Sequence, residues 1–307
     1  MPFRRSIPQN LLNNLMEELN RIEPGAEFHG SLPKLSSSNG KDYFAKVGSP
    51  SEAEQFEGEA QSLLALGEGC PELIPKVFAH GVTDGRPYFV SEYKNIGSLT
   101  EGAGIRLGEL MGTKLHRHTS PNGQFGFEVP TYCGATRMRN GWFATWEELF
   151  SDKIGELLDA LKGQRFGELI SKGEQVRKTA HLHIWQRRHS SAVLGPLKVE
   201  PVILHGDLWS GNAGTDRNTG EPAIFDPSSF YGHNEFDLAI ARVFGGFPRS
   251  FYATYHKHFP KAEPVDQYEL RMELYEMFHY LNHTVLFGGG YASSALSKMN
   301  TLLEAKL

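Results

Sequence analysis

Val202-Ile203-Leu204-His205-Gly206-Asp207-Leu208-Trp209-Ser210-Gly211-Asn212, followed by Ala223-Ile224-Phe225-Asp226, decides how this chain is read. The apolar run Val202 to Leu204 has the makings of a buried strand, and the polar residues after it end the run. Asp207 and Asn212 stand five positions apart in that turn, and a second short apolar strand ends on Asp226. Phosphoryl transfer to a hydroxyl calls for such a set. One carboxylate must accept the hydroxyl proton, and hard oxygen ligands must hold Mg²⁺ against the phosphates. Two neighbouring strand ends can supply both. The competing reading is a β-hairpin whose turn uses Asp, Asn, Gly and Ser because those residues suit turns.

Working outward, an apolar strand is expected at Tyr43-Phe44-Ala45-Lys46-Val47, after the turn Asn39-Gly40. A lysine within such a strand is costly without a charged partner, unless it lies on a solvated edge. The following segment supplies a partner. Pro50 in a first turn and Ser51/Glu54 at capping-box spacing start a helix, with Phe56, Leu63 and Leu66 as its apolar stripe. Glu59 falls on that stripe, three residues after Phe56 and four before Leu63, and so is expected to face Lys46. Glu52, Glu54 and Glu57 read as solvated or as acidic residues near the helix N-terminus.

Upstream, Pro8 to Ile22 carries an amphipathic helical pattern, and Phe28 to Leu32 reads as a turn around Gly30 and Ser31. Strands are expected at Ile74 to Phe78 and Pro87 to Tyr93. The second leads through Glu92 and Tyr93 to Gly97, where the composition becomes helical and polar. This places a domain boundary between residues 94 and 95. Downstream, a helical pattern from Leu107 ends at His118, and 119–140 is a long ordered loop. Further helices are expected from Trp142 to Leu161, within 165–194, after Phe230, and up to the breaker Gly288-Gly289-Gly290.

The chain has 307 residues, enough for one large or two smaller domains that bury roughly three quarters of their unfolded surface. Its net charge of −5 argues against a nucleic-acid partner. Cys70 and Cys133 form no CxxC pattern, so neither a disulfide scaffold nor a zinc ribbon is expected, and a reducing compartment fits. The basic start Met1 to Ser6 is followed by no apolar secretory core, and no apolar run reaches membrane-spanning length. A cytoplasmic location is the expectation. Of the histidine pairs, His116/His118, His181/His183 and His256/His258 are at i, i+2, on different helix faces. His279/His283, at i, i+4, lacks the glutamate of a zinc-protease helix, so no zinc site is expected.

Lys46, Glu59, His205-Gly206-Asp207 with Asn212, and Asp226, in that order, resemble the protein-kinase-like fold in its aminoglycoside/choline phosphotransferase branch. More narrowly, the chain resembles the fructosamine/ketosamine-3-kinase (protein-ribulosamine 3-kinase) family. Thr131-Tyr132-Cys133-Gly134, the Trp209 form of the catalytic turn, Gly232-His233-Asn234-Glu235-Phe236-Asp237-Leu238-Ala239 and Leu281-Asn282-His283 carry that likeness. It spans roughly residues 25 to 290.

The resemblance implies an α+β, bilobal protein-kinase-like fold. Residues 1–94 would form a small nucleotide-binding lobe, an antiparallel sheet with one key helix, and 95–307 a larger, mainly helical catalytic lobe. It further implies ATP-dependent phosphorylation of the 3-hydroxyl of ketosamines on glycated proteins or small amines, a deglycation or repair activity. Asp207 would be the base, and Asn212 and Asp226 the Mg²⁺ ligands. Lys46 with Glu59, Gly30 and Ser31 would meet the phosphates, and Glu92 and Tyr93 the adenine. Trp209, His205, His233 and Asp237 would serve the sugar side, Asp237 equally by accepting backbone hydrogen bonds of its loop. A monomer is the default. Two departures stand out. The loop Gly30 to Ser36 holds one glycine where relatives carry more, and Gly206 replaces the arginine of the protein-kinase HRD triplet. No activation-loop control is therefore expected. The competing readings are another small-molecule alcohol kinase and a non-catalytic pseudokinase binding module.

Overall fold

The computed structural model describes residues 9–180 and 199–305. The start of the chain, His181/His183 and the end of the 165–194 stretch lie outside them.

Helix α1 (Gln9–Ile22) lays Leu15 and Leu19 under an antiparallel sheet. The sheet contains β1 (Phe28–Ser31), β2 (Lys34–Ser37), β3 (Asp42–Val47), then, after helix α2 (Ala53–Gly69), β4 (Val77–Thr83) and β5 (Arg86–Glu92), in the order β1-β2-β3-β5-β4. Alternation along β3 turns Tyr43 and Ala45 to the core shared with α1 and leaves Lys46 on the other face. Three local expectations are corrected. Gly30 and Ser31 lie in a strand paired with Leu35 and Lys34, because backbone bonds close a hairpin over Leu32-Pro33. The capping box is Ser49/Glu52, where Glu52 accepts the Ser49 N–H at 2.6 Å. Glu54 instead accepts from Tyr132 and Arg137. The strand expected at Ile74 starts at Val77, since 71–74 turns to bury Leu73 and Ile74.

After β5 the chain leaves the sheet. Short β6 (Ile96–Gly97) pairs with residues 215 and 216, far along the sequence. Helix α3 (Glu101–Thr113), capped by Thr100, starts six residues before the expected Leu107. The long loop beyond it contains a hairpin, β7 (Thr131–Cys133) and β8 (Thr136–Met138). Helices α4 (Trp146–Ala160) and α5 (Gly167–Ala180) follow. Then come β9 (Val202–Leu204), β10 (Ala213–Asp216), β11 (Pro222–Ile224) and β12 (Phe230–Gly232). Helices α6 (Glu235–Val243), α7 (Arg249–His258), α8 (Tyr268–Phe287) and α9 (Gly290–Glu304) complete the fold. The result is α+β: an antiparallel sheet followed by a mainly helical part, the protein-kinase-like arrangement. The hairpin reading of the central stretch fails. β9 pairs with β12 and β10 with β11, so the strands leading to Asp207 and Asp226 are not hydrogen-bonded to each other.

A large apolar core runs from α2 through β9 to α4, α6 and α8, with Trp146, Phe150, Phe236 and Tyr275 in mutual ring contact. Buried Arg271 donates to Glu235 at 2.6 and 2.9 Å and to the Pro264 and Ala262 carbonyls. A charge pair held this way tolerates burial. Among the described residues no helix is long and apolar enough to cross a membrane.

Candidate active site

Lys46 enters the cleft from β3, opposite Phe89 of β5, and pairs with Glu59 of α2, as the helical stripe predicted. Its ammonium also lies 4.9 Å from the Phe56 ring and 5.5 Å from that of Phe89. Burial pushes the Glu59 carboxyl up, and the Lys46 charge pulls it back.

On the facing side, β9 delivers His205-Gly206-Asp207. Gly206 has φ +81°, and a Cβ there would stand 1.9 Å from the Ser228 carbonyl oxygen, so only glycine fits this turn. This packing accounts for the missing arginine. Asp237 of α6 clamps the same turn, its carboxylate accepting the His205 and Gly206 N–H groups at 2.7 and 2.9 Å and His116 Nε2 at 3.3 Å. Burial opposes ionisation of Asp237, but His116 and the loop N–H groups outweigh it and hold its carboxyl below the usual range. His205 donates from Nε2 to the Phe225 carbonyl at 3.0 Å and accepts the Asp207 N–H at Nδ1, which makes it a neutral tautomer. Burial depresses its pKa to match.

Asp207 therefore sits on a turn tied down from behind. Burial pushes its carboxyl up to about 6, against hydrogen bonds from Cys133 and Asn212. Asn212 donates through Nδ2 to the Asp207 carbonyl at 3.0 Å, to its Oδ2 at 3.3 Å and to the Asp226 carbonyl at 3.3 Å. Its amide nitrogen is thereby committed to the protein and Oδ1 is left as an acceptor. Asp226 has φ +53°, in the left-handed region, a strain of about 1 kcal/mol or more for a non-glycine residue.

Two adjoining cavities share Glu59 and Asp226. One, about 340 Å³, is lined by Lys46, Asp207, Trp209, Asn212, Tyr132 and Gln55 among others. Its neighbour, about 290 Å³, is an apolar slot between Phe44, Leu63, Phe89, Ile96 and Phe225, bounded by residues 91–94 of the segment after β5. Glu92 and Tyr93, which the family resemblance put at the adenine, line this slot.

Several expected contacts are not made. Gly30 and Ser31 line neither cavity; only Pro33, at the tip of their hairpin, reaches the apolar slot. His205 and His233 are at most 2% exposed and line neither cavity, and Asp237, equally buried, takes the backbone-acceptor role that the sequence also allowed it. His205 and Asp237 support the catalytic turn, and His233 hydrogen-bonds the Tyr275 hydroxyl at 2.7 Å. Trp209, 39% exposed, does line the polar cavity, its ring edge-on to Phe244 and covering Gly211 so closely that no Cβ fits there. Tyr132 and Gln55 were missed as cavity residues, although Thr131-Tyr132-Cys133-Gly134 had been singled out. Among the described residues no group of three or more His, Cys, Asp or Glu is placed to hold a metal ion.

Lys46 and Glu59 on one wall of the cleft, and Asp207, Asn212 and Asp226 on the other, place the chain among phosphotransferases of the protein-kinase-like class. Solved structures share the fold. A Haemophilus somnus protein assigned as a fructosamine-3-kinase superposes with a TM-score of 0.74 at 23% identity, over 94% of this chain and 97% of that one. Choline kinase LicA from Streptococcus pneumoniae gives 0.58 at 14% identity, over 96% and 100%. The ketosamine-3-kinase of Mus musculus is 35% identical over 283 residues, 84% of this chain and 87% of that protein. The chloroplastic protein-ribulosamine 3-kinase of Arabidopsis thaliana is 35% identical over 264 residues, 85% and 76% of the two chains. The sequence profile of the family described as Fructosamine kinase matches residues 11–305. The chain belongs to the fructosamine kinase family.

Proposed function

We propose that the protein transfers the terminal phosphoryl group of ATP to the 3-hydroxyl of a ketosamine, a ribulosamine or fructosamine on a glycated protein or small amine, as a deglycation step. The observation that carries this reading is the convergence of Lys46–Glu59 and Asp207, Asn212 and Asp226 on one cavity beside an apolar slot. Asp207 is the general base. Its carboxyl is raised by burial to about 6, close to where a base works best near neutral pH. Adenine occupies the apolar slot against residues 91–94, and Lys46, oriented by Glu59, binds the phosphates. The boundary between the nucleotide-binding and catalytic lobes falls at residues 94 and 95.

The Asn212 Oδ1 and Asp226 carboxylate, hard oxygen donors in a cavity lined by no cysteine or histidine, fit Mg²⁺. When bound, the ion neutralises phosphate charge. Trp209 offers its exposed ring to the apolar face of the sugar.

The test is Mg·ATP consumption with ribulose-lysine, fructose-lysine and an aminoglycoside as parallel acceptors. Turnover is expected on a ketosamine. Asp207→Ala should lose about 10²- to 10⁴-fold in kcat while still binding ATP. Activity on another alcohol alone would move the assignment to a different small-molecule kinase, and near-normal turnover by Asp207→Ala would refute the role of that residue.

A further inference from the structure

Trp209, 39% exposed, and Phe287, 67% exposed, are joined by a series of rings that starts in the polar cavity. Trp209, in the cavity wall, meets Phe244 edge-on with centroids 6.1 Å apart. Phe244 lies 4.7 Å from His283 of α8, and His283 lies 5.7 Å from Phe287 and 5.1 Å from Tyr291 of α9. Phe287 and Tyr291 are themselves 5.9 Å apart. Close backbone approaches hold this series against the cavity. A Cβ on Gly246 would stand 2.4 Å from that of Ser210, so the segment after Phe244 sits on the turn that carries Trp209. A Cβ on Gly134, a cavity residue, would stand 3.0 Å from Leu286 Cδ1, so the last turn of α8 borders the cavity too. Gly288 and Gly289, at φ +65° and +51°, end α8 and let α9 start at once, which returns Tyr291 to His283 and Phe287.

The series carries no charge. His283 Nδ1 donates to the His279 carbonyl at 2.8 Å, and burial lowers the pKa of the ring, which is neutral near pH 7. Part-exposed rings continuous with a ligand cavity offer apolar area and aromatic faces, and no counter-ion. A ketosamine with its 3-hydroxyl at Asp207 and its sugar on Trp209 still carries a substituent on its nitrogen. The cavity of about 340 Å³ must take the sugar together with the transferred phosphate, so that substituent has to leave it. Phe244 and His283 continue the surface from Trp209. We propose that the rings from Phe244 to Tyr291 form the subsite for the substituent on the ketosamine nitrogen, and that they favour apolar or aromatic substituents over small or charged ones. In a glycated protein the same rings would take an apolar side chain next to the modified residue.

The inference rests on the ketosamine reading, and the experiment separates the two. Steady-state kinetics with Mg·ATP compare ketosamines of one sugar made from methylamine, hexylamine, 2-phenylethylamine and β-alanine. They are measured for the wild type, Phe287→Ser, Phe287→Leu and Tyr291→Ser. In the wild type, kcat/KM is expected to rise about tenfold from the methyl to the phenylethyl derivative, the weight of roughly 50 Å² of apolar surface removed from water. The hexyl derivative should gain similarly and the β-alanine derivative should not. Phe287→Ser is expected to lose most of the gain, with KM for ATP and kcat/KM on the methyl derivative within about twofold. Phe287→Leu, which keeps an apolar surface, should retain most of the gain on the hexyl derivative.

Turnover of none of these ketosamines would overturn the acceptor reading and this inference with it. Turnover with equal kcat/KM along the series, or with the β-alanine derivative as good as the phenylethyl one, overturns the subsite alone. So does a preference that survives both serine variants, or an equal loss on the methyl and phenylethyl derivatives. Urea unfolding accompanies each variant. A midpoint lowered well below wild type in both serine variants would make the rings part of the packing and overturn the proposal as well.

Discussion

Acid should destabilise this protein well above the carboxylate range, through histidines sealed in the core. Burial holds His279 down at about 3 and His233 at about 4, against an ordinary value of about 6.5 in the unfolded chain. Below pH 6.5 the unfolded state binds a proton at each site and the folded state does not, so stability falls as pH falls. Each group loses about 1.4 kcal/mol per pH unit in that window, hence about 2 kcal/mol between pH 7.5 and pH 5, or about 4 kcal/mol for the pair. Asp207 works in the opposite sense. Its folded value of about 6 lies above its unfolded one, so the folded state takes up a proton first and recovers about 1.4 kcal/mol by pH 5. For these three groups the net loss is therefore about 2.5 kcal/mol, a large fraction of a typical folding free energy. Urea unfolding followed by tryptophan fluorescence at pH 7.5, 6.5, 5.8 and 5 measures it. His279→Leu isolates one group. Whatever its stability at pH 7.5, the variant should lose about 2 kcal/mol less than wild type on going to pH 5. Parallel pH profiles for the two proteins would refute the claim that His279 is neutral because it is buried.

Gly206→Ala sets a methyl group against the Ser228 carbonyl at a left-handed backbone position. Strain and overlap together should cost about 2–4 kcal/mol, read as a fall in the urea midpoint, and turnover should fall with it as Asp207 is displaced. A fully active, equally stable alanine variant would show that the turn is not packed as described. Trp209→Ala should raise KM for the ketosamine at unchanged KM for ATP and nearly unchanged stability, because the ring is 39% exposed and faces the polar cavity. Unaltered acceptor KM would remove the ring from the sugar. Arg271→Met leaves the Glu235 carboxylate buried without its cation and should cost about 3–5 kcal/mol, measurable by thermal and urea unfolding.

The set proposed to be catalytic was legible because each member carries a local signature. Lys46 is a charge inside an apolar strand, Glu59 a carboxylate on a helical apolar stripe, and Asp207 and Asn212 stand at fixed spacing in one turn. Such signatures depend on side-chain periodicity over a few residues, which the backbone imposes wherever the helix or strand lies. His205 and His233 were misplaced for the complementary reason, and for the same reason the sequence left Asp237 open between the sugar side and a backbone-acceptor role, of which the structure has the second. Polar residues beside a catalytic turn look alike in sequence whether they face the substrate or hold the turn from behind. Only their burial, with Asp237 accepting two N–H groups from the loop, separates the cases. The Ser49/Glu52 cap shows the same limit on a smaller scale, since Ser51/Glu54 has the same spacing but its Glu54 bonds Tyr132 and Arg137, residues distant in sequence.

By itself, the sequence determined the fold class and the Lys46–Glu59 pairing, and it singled out Asp207, Asn212 and Asp226, which the fold brings to one cavity. Tertiary structure alone decided that β9 pairs with β12 rather than with β11, and that Pro33 rather than Gly30 reaches the cleft. It also brings Asn282 onto the Cys133 sulfur from 149 positions away. Motif spacing is a property of neighbouring covalent units. Contacts between distant segments are selected by the burial and hydrogen bonding of the whole chain at once, and no local pattern encodes them.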